Sequence, residues 1–131
     1  MIRDPQCGTI LVVDDNADIR TFVKRFLETV GWTVVTAADG AEGLRFFEQH
    51  QSSIVLLLTD VMMPNTNGLE LANRVLQIDS QLPVLFMSGD DWTAYRGLEC
   101  VAKPFMPAEL VEKVTRVLNA SARSERSTSA A

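Results

Sequence analysis

Five polar side chains that could do chemistry lie at four separate places in the chain. They are Asp14, Asp15, Asp60, Ser88 and Lys103. The three carboxylates offer hard oxygen ligands, with no His or Cys in the set, which suits Mg²⁺ or Mn²⁺. A lysine ammonium can hold a phosphoryl oxygen, and a serine hydroxyl can add a hydrogen bond. Such a set favours phosphoryl transfer, with one carboxylate as the nucleophile that forms an aspartyl phosphate.

The elements that must position these groups are short apolar runs that come just before them. The runs cover residues 9–13, 54–58, 82–87 and 98–103, with another β-rich run at 32–37. Apolar runs of this length are typical of parallel strands that helices cover on both faces. Because ligands bind at the carboxyl ends of such strands, we expect the polar groups to meet at that edge of the sheet.

Helical segments alternate with these strands. From Asn16 the apolar residues follow the three-and-four spacing of one helical face, and Gly31 is a natural stop. Further helices are predicted after Asp39 as an N-cap, over about 68–78, and from Pro107. The alternation predicts an α/β fold with a doubly wound five-stranded parallel sheet. In a flavodoxin-like order, 2-1-3-4-5, strands one and three are neighbours, which crowds the three carboxylates together.

The length and the spacing of motifs define the expected domain organisation. Residues 1–8 are interpreted as an N-terminal extension and residues 9–120 as one domain. Residues 121–131 lack apolar periodicity and are predicted to be a disordered tail or the start of a linker. Residues 89–97 leave room for little more than a turn or two of helix before the last strand. The fourth helix is therefore expected to be short or missing.

Composition and charge exclude several classes of protein. A net charge of −5 argues against direct binding of nucleic acid, which depends on a basic surface. No apolar run approaches a membrane span, and the first residues do not follow the order of a signal peptide. We therefore expect a cytoplasmic protein that does not bind membranes. Cys7 and Cys100 have no metal-ligand spacing and are expected to be reduced thiols.

Four short motifs occur along the chain in the order DD, DVMMPNTNG, SG and KPF. This order resembles the response regulator receiver domain of two-component signalling, the CheY-like family, over roughly residues 9–119. The resemblance implies that Asp60 is the phosphoacceptor, that Ser88 bonds the phosphoryl group and that Lys103 pairs with it. The implied donor is a histidine kinase or a histidine phosphotransfer protein, and the downstream protein partner is open. A receiver is a switch that catalyses only its own phosphorylation and dephosphorylation.

The same resemblance implies a set of metal ligands. Asp15 and Asp60 would bind Mg²⁺ (or Mn²⁺) directly, Met62 through its backbone carbonyl, and Asp14 through water. One departure concerns Cys100, which stands where the family usually has an aromatic switch residue. A thiol cannot swing a ring toward the site, so the sequence leaves the relay of the signal open.

Other interpretations remain at this point. Singly, Asp14 and Asp15 could cap the first helix, Ser88 could belong to a turn, and Lys103 could be a solvated surface residue. The fold could also belong to a pseudo-receiver that binds proteins without phosphorylation. A phosphatase or phosphotransferase acting on small molecules shares the chemistry but would need a cap domain, for which 131 residues leave no room.

Overall fold

Strands and helices alternate as far as the fourth strand in the computed structural model, which describes residues 8–61, 63, 67–89 and 99–130, with side chains through residue 120. The strands are β1 (Thr9–Val13), β2 (Thr33–Ala37), β3 (Ile54–Asp60), β4 (Val84–Ser88) and β5 (Cys100–Ala102). The helices are α1 (Ala17–Val30), α2 (Gly40–Gln49), α3 (Gly68–Ile78) and α4 (Pro107–Ala130). All paired strands are parallel and lie in the order β2-β1-β3-β4-β5. The predicted flavodoxin-like sheet is confirmed.

The core consists of two apolar clusters, one on each face of the sheet. Residues of α1 and α4 pack on one face, and residues of α2 and α3 pack on the other. Strand β3 is buried along its whole length and supplies both clusters, because successive side chains of a strand point to opposite faces. Leu56 and Leu58 lie in the first cluster, and Leu57 lies in the second. This two-sided burial explains the unbroken apolar run in the sequence.

Local signals fix where the first helices begin and end. The side-chain oxygen of Asn16 accepts hydrogen bonds from the backbone N–H groups of Asp18 and Ile19, which caps α1. Gly31 ends the helix with φ 119°, a left-handed conformation that favours glycine. The carboxylate of Asp39 accepts a hydrogen bond from the backbone N–H of Glu42 in the first turn of α2, which confirms the predicted N-cap. Because Asn16 and Asp39 follow the ends of β1 and β2, both helices begin at the sheet edge where the polar groups lie.

The sequence interpretation of residues 121–131 as a disordered tail or the start of a linker stays a prediction. The backbone continues α4 as a helix to Ala130. The polar composition of this segment does not oppose a helix, because an existing helix can be extended by one intrahelical hydrogen bond per residue without burial. The segment after Pro107 also contains neither Gly nor Pro to break it.

Two predicted features fall wholly or largely outside the described residues. The short or missing fourth helix was expected within residues 89–97, of which only residue 89 is described, so the helix that follows β5 is α4 in our numbering. The N-terminal extension is described from residue 8 onward. In the part of the chain that the structure describes, no helix is both long and apolar enough to cross a membrane.

Candidate functional site

Three carboxylates converge at the carboxyl ends of β1 and β3. Oxygen atoms of Asp14, Asp15 and Asp60 all lie within 4.8 Å of one another. Asp14 and Asp60 are buried, whereas Asp15 is exposed. The neighbouring positions of β1 and β3 produce this convergence, as the flavodoxin-like order predicted.

Asp14 is held at each of its polar atoms. Its backbone N–H donates to the carbonyl of Ala37 on the adjacent strand at 3.2 Å. Its Oδ1 accepts from the backbone N–H of Asn16 at 2.9 Å, and its backbone carbonyl accepts from Nη1 of Arg20 at 2.7 Å. Its Oδ2 accepts from Nζ of Lys103 at 2.8 Å. Since Asn16 caps α1, the interpretation of Asp14 as a simple helix cap is wrong.

Lys103 joins the carboxylates across the sheet. Its Nζ lies 2.8 Å from Oδ2 of Asp14 and 3.4 Å from Oδ2 of Asp60. Its backbone N–H donates to the carbonyl of Ser88 at 2.7 Å, which ties the end of β5 to the end of β4. The lysine side chain is 19% exposed. Its interpretation as a solvated surface lysine is therefore wrong.

The electrostatics of the site follow from burial and crowding. Burial raises the pKa of the Asp60 carboxyl, and the charge of Lys103 opposes that rise while the charge of Asp14 adds to it. Burial on its own would lower the pKa of Lys103. The hydrogen bond to Asp14 and the charges of both aspartates outweigh that effect, so the pKa of the lysine is raised. In the metal-free site the ammonium thus stays charged and partly neutralises the carboxylates.

The backbone around Asp60 is fixed by a close approach of α3. The strand extends to Asp60, which pairs with Met87 of β4, so the aspartate stands at the end of the strand rather than in a loop. The backbone N–H of Gly68 donates to the carbonyl of Val61 at 2.7 Å. A Cβ at Gly68 would overlap the carbonyl oxygen of Asp60. Glycine is therefore required where α3 begins.

The remaining predicted positions differ in what the structure shows. Ser88 is the last residue of β4 and is buried, so it is not a surface turn residue. Met62 lies outside the described residues, so its predicted carbonyl contact with a metal stays a prediction. Cys100 is half-buried against the cluster on the α2 and α3 face, and burial raises the pKa of its thiol.

Sequence analysis missed two residues that shape the site. Arg20 reaches back from α1 to the Asp14 carbonyl, and Gly68 lets α3 approach Asp60. A signal existed for each: a cation close to the start of a helix that follows two acids, and a glycine where a helix begins after the Asp60 strand. Neither signal is specific, because surface arginines and glycines before helices are common.

The donor set fits a hard divalent cation. Carboxylate oxygens are the ligands that Mg²⁺ prefers, and the exposed position of Asp15 leaves the cluster open to water. His and Cys side chains, which would favour zinc, do not take part in the acidic cluster among the described residues.

Comparison with known proteins identifies the class. The family model for the response regulator receiver domain matches residues 10–115, so the chain belongs to that family. The response regulator receiver protein CpdR of Brucella abortus (strain 2308) is 34% identical over 119 residues, which cover 86% of this chain and 98% of that protein. The probable transcriptional regulator ycf27 of Guillardia theta is 37% identical over 116 residues, covering 83% of this chain and 44% of that protein. The chain therefore spans nearly all of CpdR but less than half of that ycf27 protein.

Solved structures agree with this assignment. The receiver domain of the hybrid histidine kinase CckA is 34% identical with a TM-score of 0.75, covering 85% of this chain and 99% of that chain. A CheY-like receiver domain protein from Methanospirillum hungatei JF-1 is 26% identical with a TM-score of 0.81, covering 90% of this chain and 98% of that chain. The domain is a phosphoacceptor switch of two-component signalling, and domains of this family accept phosphoryl groups from histidine kinases. Nothing in the comparisons favours the pseudo-receiver interpretation.

Proposed function

We propose that Asp60 is the residue that accepts the phosphoryl group. The observation that carries the proposal is the convergence of Asp14, Asp15, Asp60 and Lys103 at one end of the sheet. Asp60 is the member that combines a nucleophilic carboxylate, a position at the end of the central strand and contact with the lysine ammonium. The buried Asp14 is already held by hydrogen bonds to both carboxylate oxygens.

The transfer itself is a displacement at phosphorus. A carboxylate oxygen of Asp60 attacks the phosphorus of a phosphohistidine. The new P–O bond forms as the P–N bond breaks, and the electron pair of the P–N bond stays on the imidazole nitrogen. Nζ of Lys103 stands 3.4 Å from the Asp60 carboxylate, close enough to pair with an oxygen of the incoming group. The hydroxyl of Ser88, at the end of the neighbouring strand, donates a hydrogen bond to another oxygen of the phosphoryl group.

The acidic cluster is proposed to hold Mg²⁺ (or Mn²⁺). Asp15 and Asp60 would hold the ion directly, together with the backbone carbonyl of Met62, and Asp14 would hold it through water. The ion supplies positive charge that offsets the negative charge of the phosphoryl oxygens. Asp14 keeps its carboxylate fixed through Asn16 and Lys103, which limits the rearrangement needed on binding.

The proposed partners follow from the family. The donor is a histidine kinase or a histidine phosphotransfer protein, and the output is a protein partner that senses the phosphorylated surface. Several relatives are transcriptional regulators, but the chain spans about half of their length, for example 49% of the regulator PhoP of Bacillus subtilis (strain 168). We therefore assign no contact with nucleic acid or membranes to this domain.

The test uses acetyl phosphate as a small donor. Wild type, Asp60→Asn and Asp39→Asn are incubated with acetyl phosphate and Mg²⁺ and analysed by intact mass. Asp39→Asn is the matched control, because asparagine caps a helix about as well as aspartate. Wild type and the control should gain one phosphoryl group, and Asp60→Asn should gain none. An unmodified wild type would support the pseudo-receiver alternative, and modification of Asp60→Asn would exclude Asp60 as the acceptor.

A further inference from the structure

The two acids of the cluster that follow β1 are neighbours in sequence but differ in environment. Asp14 is fully buried, Asp15 is exposed, and yet both carboxylates approach Asp60 within the same 4.8 Å cluster. Successive side chains of an extended strand point in opposite directions. The backbone must therefore turn at the peptide that joins Asp14 to Asp15, and the chain does leave the strand after Val13 and bends at Asp15.

Arg20 holds that peptide. Its Nη1 donates to the Asp14 carbonyl at 2.7 Å, and this carbonyl belongs to the peptide that leads into Asp15. The backbone N–H of Arg20 donates to the carbonyl of Asn16 at 3.1 Å, which closes the first turn of α1. One residue thus connects the helix start with the turn that presents Asp15. The side chain is half-buried, so water competes less for this hydrogen bond than it would on an open surface.

We propose that Arg20 is a positioning residue that fixes the Asp14–Asp15 peptide and so aims the Asp15 carboxylate at the metal position beside Asp60. This inference rests on the proposed metal site. A freed carbonyl could rotate, and Asp15, which is exposed, would then sample orientations away from Asp60. The metal ion would have to restrict that motion on binding, which lowers its affinity.

The charge of Arg20 has the opposite effect on metal binding. A guanidinium bound to the Asp14 carbonyl repels a divalent cation held by the acidic cluster, so removal of this charge would by itself tighten binding. Loss of positioning would weaken it. The two effects differ in sign, and the affinity change therefore identifies which one dominates. Replacement of a residue that orients a metal ligand typically lowers metal affinity by about 10- to 100-fold.

The experiment measures Mg²⁺ affinity by isothermal titration calorimetry, with Mn²⁺ and electron paramagnetic resonance as a second readout. The variants are Arg20→Gln, which removes the charge and shortens the donor, and Lys24→Gln, which removes the same charge from an exposed position one turn later on α1. We expect Arg20→Gln to bind about tenfold more weakly than wild type, and Lys24→Gln to bind equally or slightly more tightly. Arg20→Gln binding as tightly as wild type, or more tightly, would overturn the proposal.

A second variant and an NMR measurement test the role of Arg20 if the first variant does not fold or if no Mg²⁺ binds. If Arg20→Gln does not fold, Arg20→Lys takes its place and must also bind more weakly, because a compact hydrated ammonium does not reproduce the guanidinium fork. In metal-free protein, carbon-13 NMR of the Asp14 carbonyl and the Asp15 carboxyl should shift in the Arg20 variant and stay in place in Lys24→Gln. A wild type that binds no Mg²⁺ would refute the metal site itself, and the NMR shifts alone would then decide on Arg20: unshifted signals would overturn its role.

Discussion

Replacement of Asp60 by asparagine should stabilise the metal-free domain. Two unit charges 4.8 Å apart interact by about 3.5 kcal/mol at an effective dielectric constant of about 20, and two charges 3.4 Å apart by about 5 kcal/mol. The attraction between Lys103 and Asp60, at 3.4 Å, is therefore largely offset by the repulsion from Asp14, whose clustered oxygen lies no more than 4.8 Å from that of Asp60. The exposed Asp15 adds a smaller, screened repulsion. What remains is the desolvation of the Asp60 carboxylate, whose side chain is only 12% exposed. We expect Asp60→Asn to raise the free energy of unfolding by about 1 kcal/mol.

The pH dependence has a defined sign. The pKa of Asp60 is raised in the folded state, so the folded protein holds the proton to higher pH than the unfolded chain. The unfavourable contribution is therefore absent below the unfolded pKa, grows as the pH rises toward the folded pKa, and is complete above it. The advantage of Asp60→Asn should be largest above the folded pKa of Asp60 and should shrink on acidification through that window.

Thermal unfolding followed by circular dichroism with EDTA measures this effect. A gain of about 1 kcal/mol corresponds to an increase in Tm of about 3 to 5 °C for a domain of this size. Glu112→Gln, on the exposed side of α4, removes one negative charge elsewhere and should change the stability by less than about 0.5 kcal/mol. Adding Mg²⁺ at tenfold its Kd should stabilise wild type by about 1.4 kcal/mol and the variant by much less. An Asp60→Asn protein no more stable than wild type in EDTA at pH 7 would refute the electrostatic reasoning.

Two other substitutions test the framework of the site. Gly68→Ala should destabilise the domain by about 2 kcal/mol in chemical denaturation, because the added Cβ overlaps the carbonyl oxygen of Asp60. Gly89→Ala is the control and should change the stability little, because the space around its Cβ is open. Equal effects of the two substitutions would contradict the requirement for glycine at position 68. Lys103→Met should lower the stability by about 2 kcal/mol at pH 8 by removing the hydrogen bond to Asp14. Because the folded pKa of Lys103 is raised, the stabilisation from its charge is complete below the unfolded pKa and is lost as the pH rises through the folded pKa. The difference in stability between wild type and Lys103→Met in urea titrations should therefore close at strongly alkaline pH. A difference that stays constant with pH would argue against this contribution.

The sequence was informative where the signal is periodic or local. The buried run at residues 54–58 predicted a central strand, and Asn16, Gly31 and Asp39 marked helix ends that the structure confirms. The strand nevertheless extends to Asp60, two residues beyond the apolar run, because Thr59 and Asp60 pair with β4. Strand pairing of this kind depends on a neighbour that local sequence does not specify.

The distribution of contacts inside the site was beyond sequence analysis. The sequence indicated that Lys103 and the aspartates meet at one edge. It could not indicate that the ammonium is closer to Asp14 than to Asp60, because the two N–O distances differ by less than 1 Å. Lys103 and Asp14 are also 89 residues apart in the chain. Arg20 escaped notice for a similar reason: its role depends on one rotamer reaching back over the start of α1.

Helix α4 runs without a break from Pro107 to Ala130. A 24-residue helix rises about 36 Å at 1.5 Å per residue, roughly the diameter of a small domain. Its base packs through Leu110 and Val114 into the cluster shared with β1 and β3, while its far end continues beyond that cluster. A tilt of about 5° at the base would sweep the last turn through about 3 Å. A small change in the angle of α4 at its base therefore displaces its end by several ångström, while the packing of Leu110 and Val114 changes little.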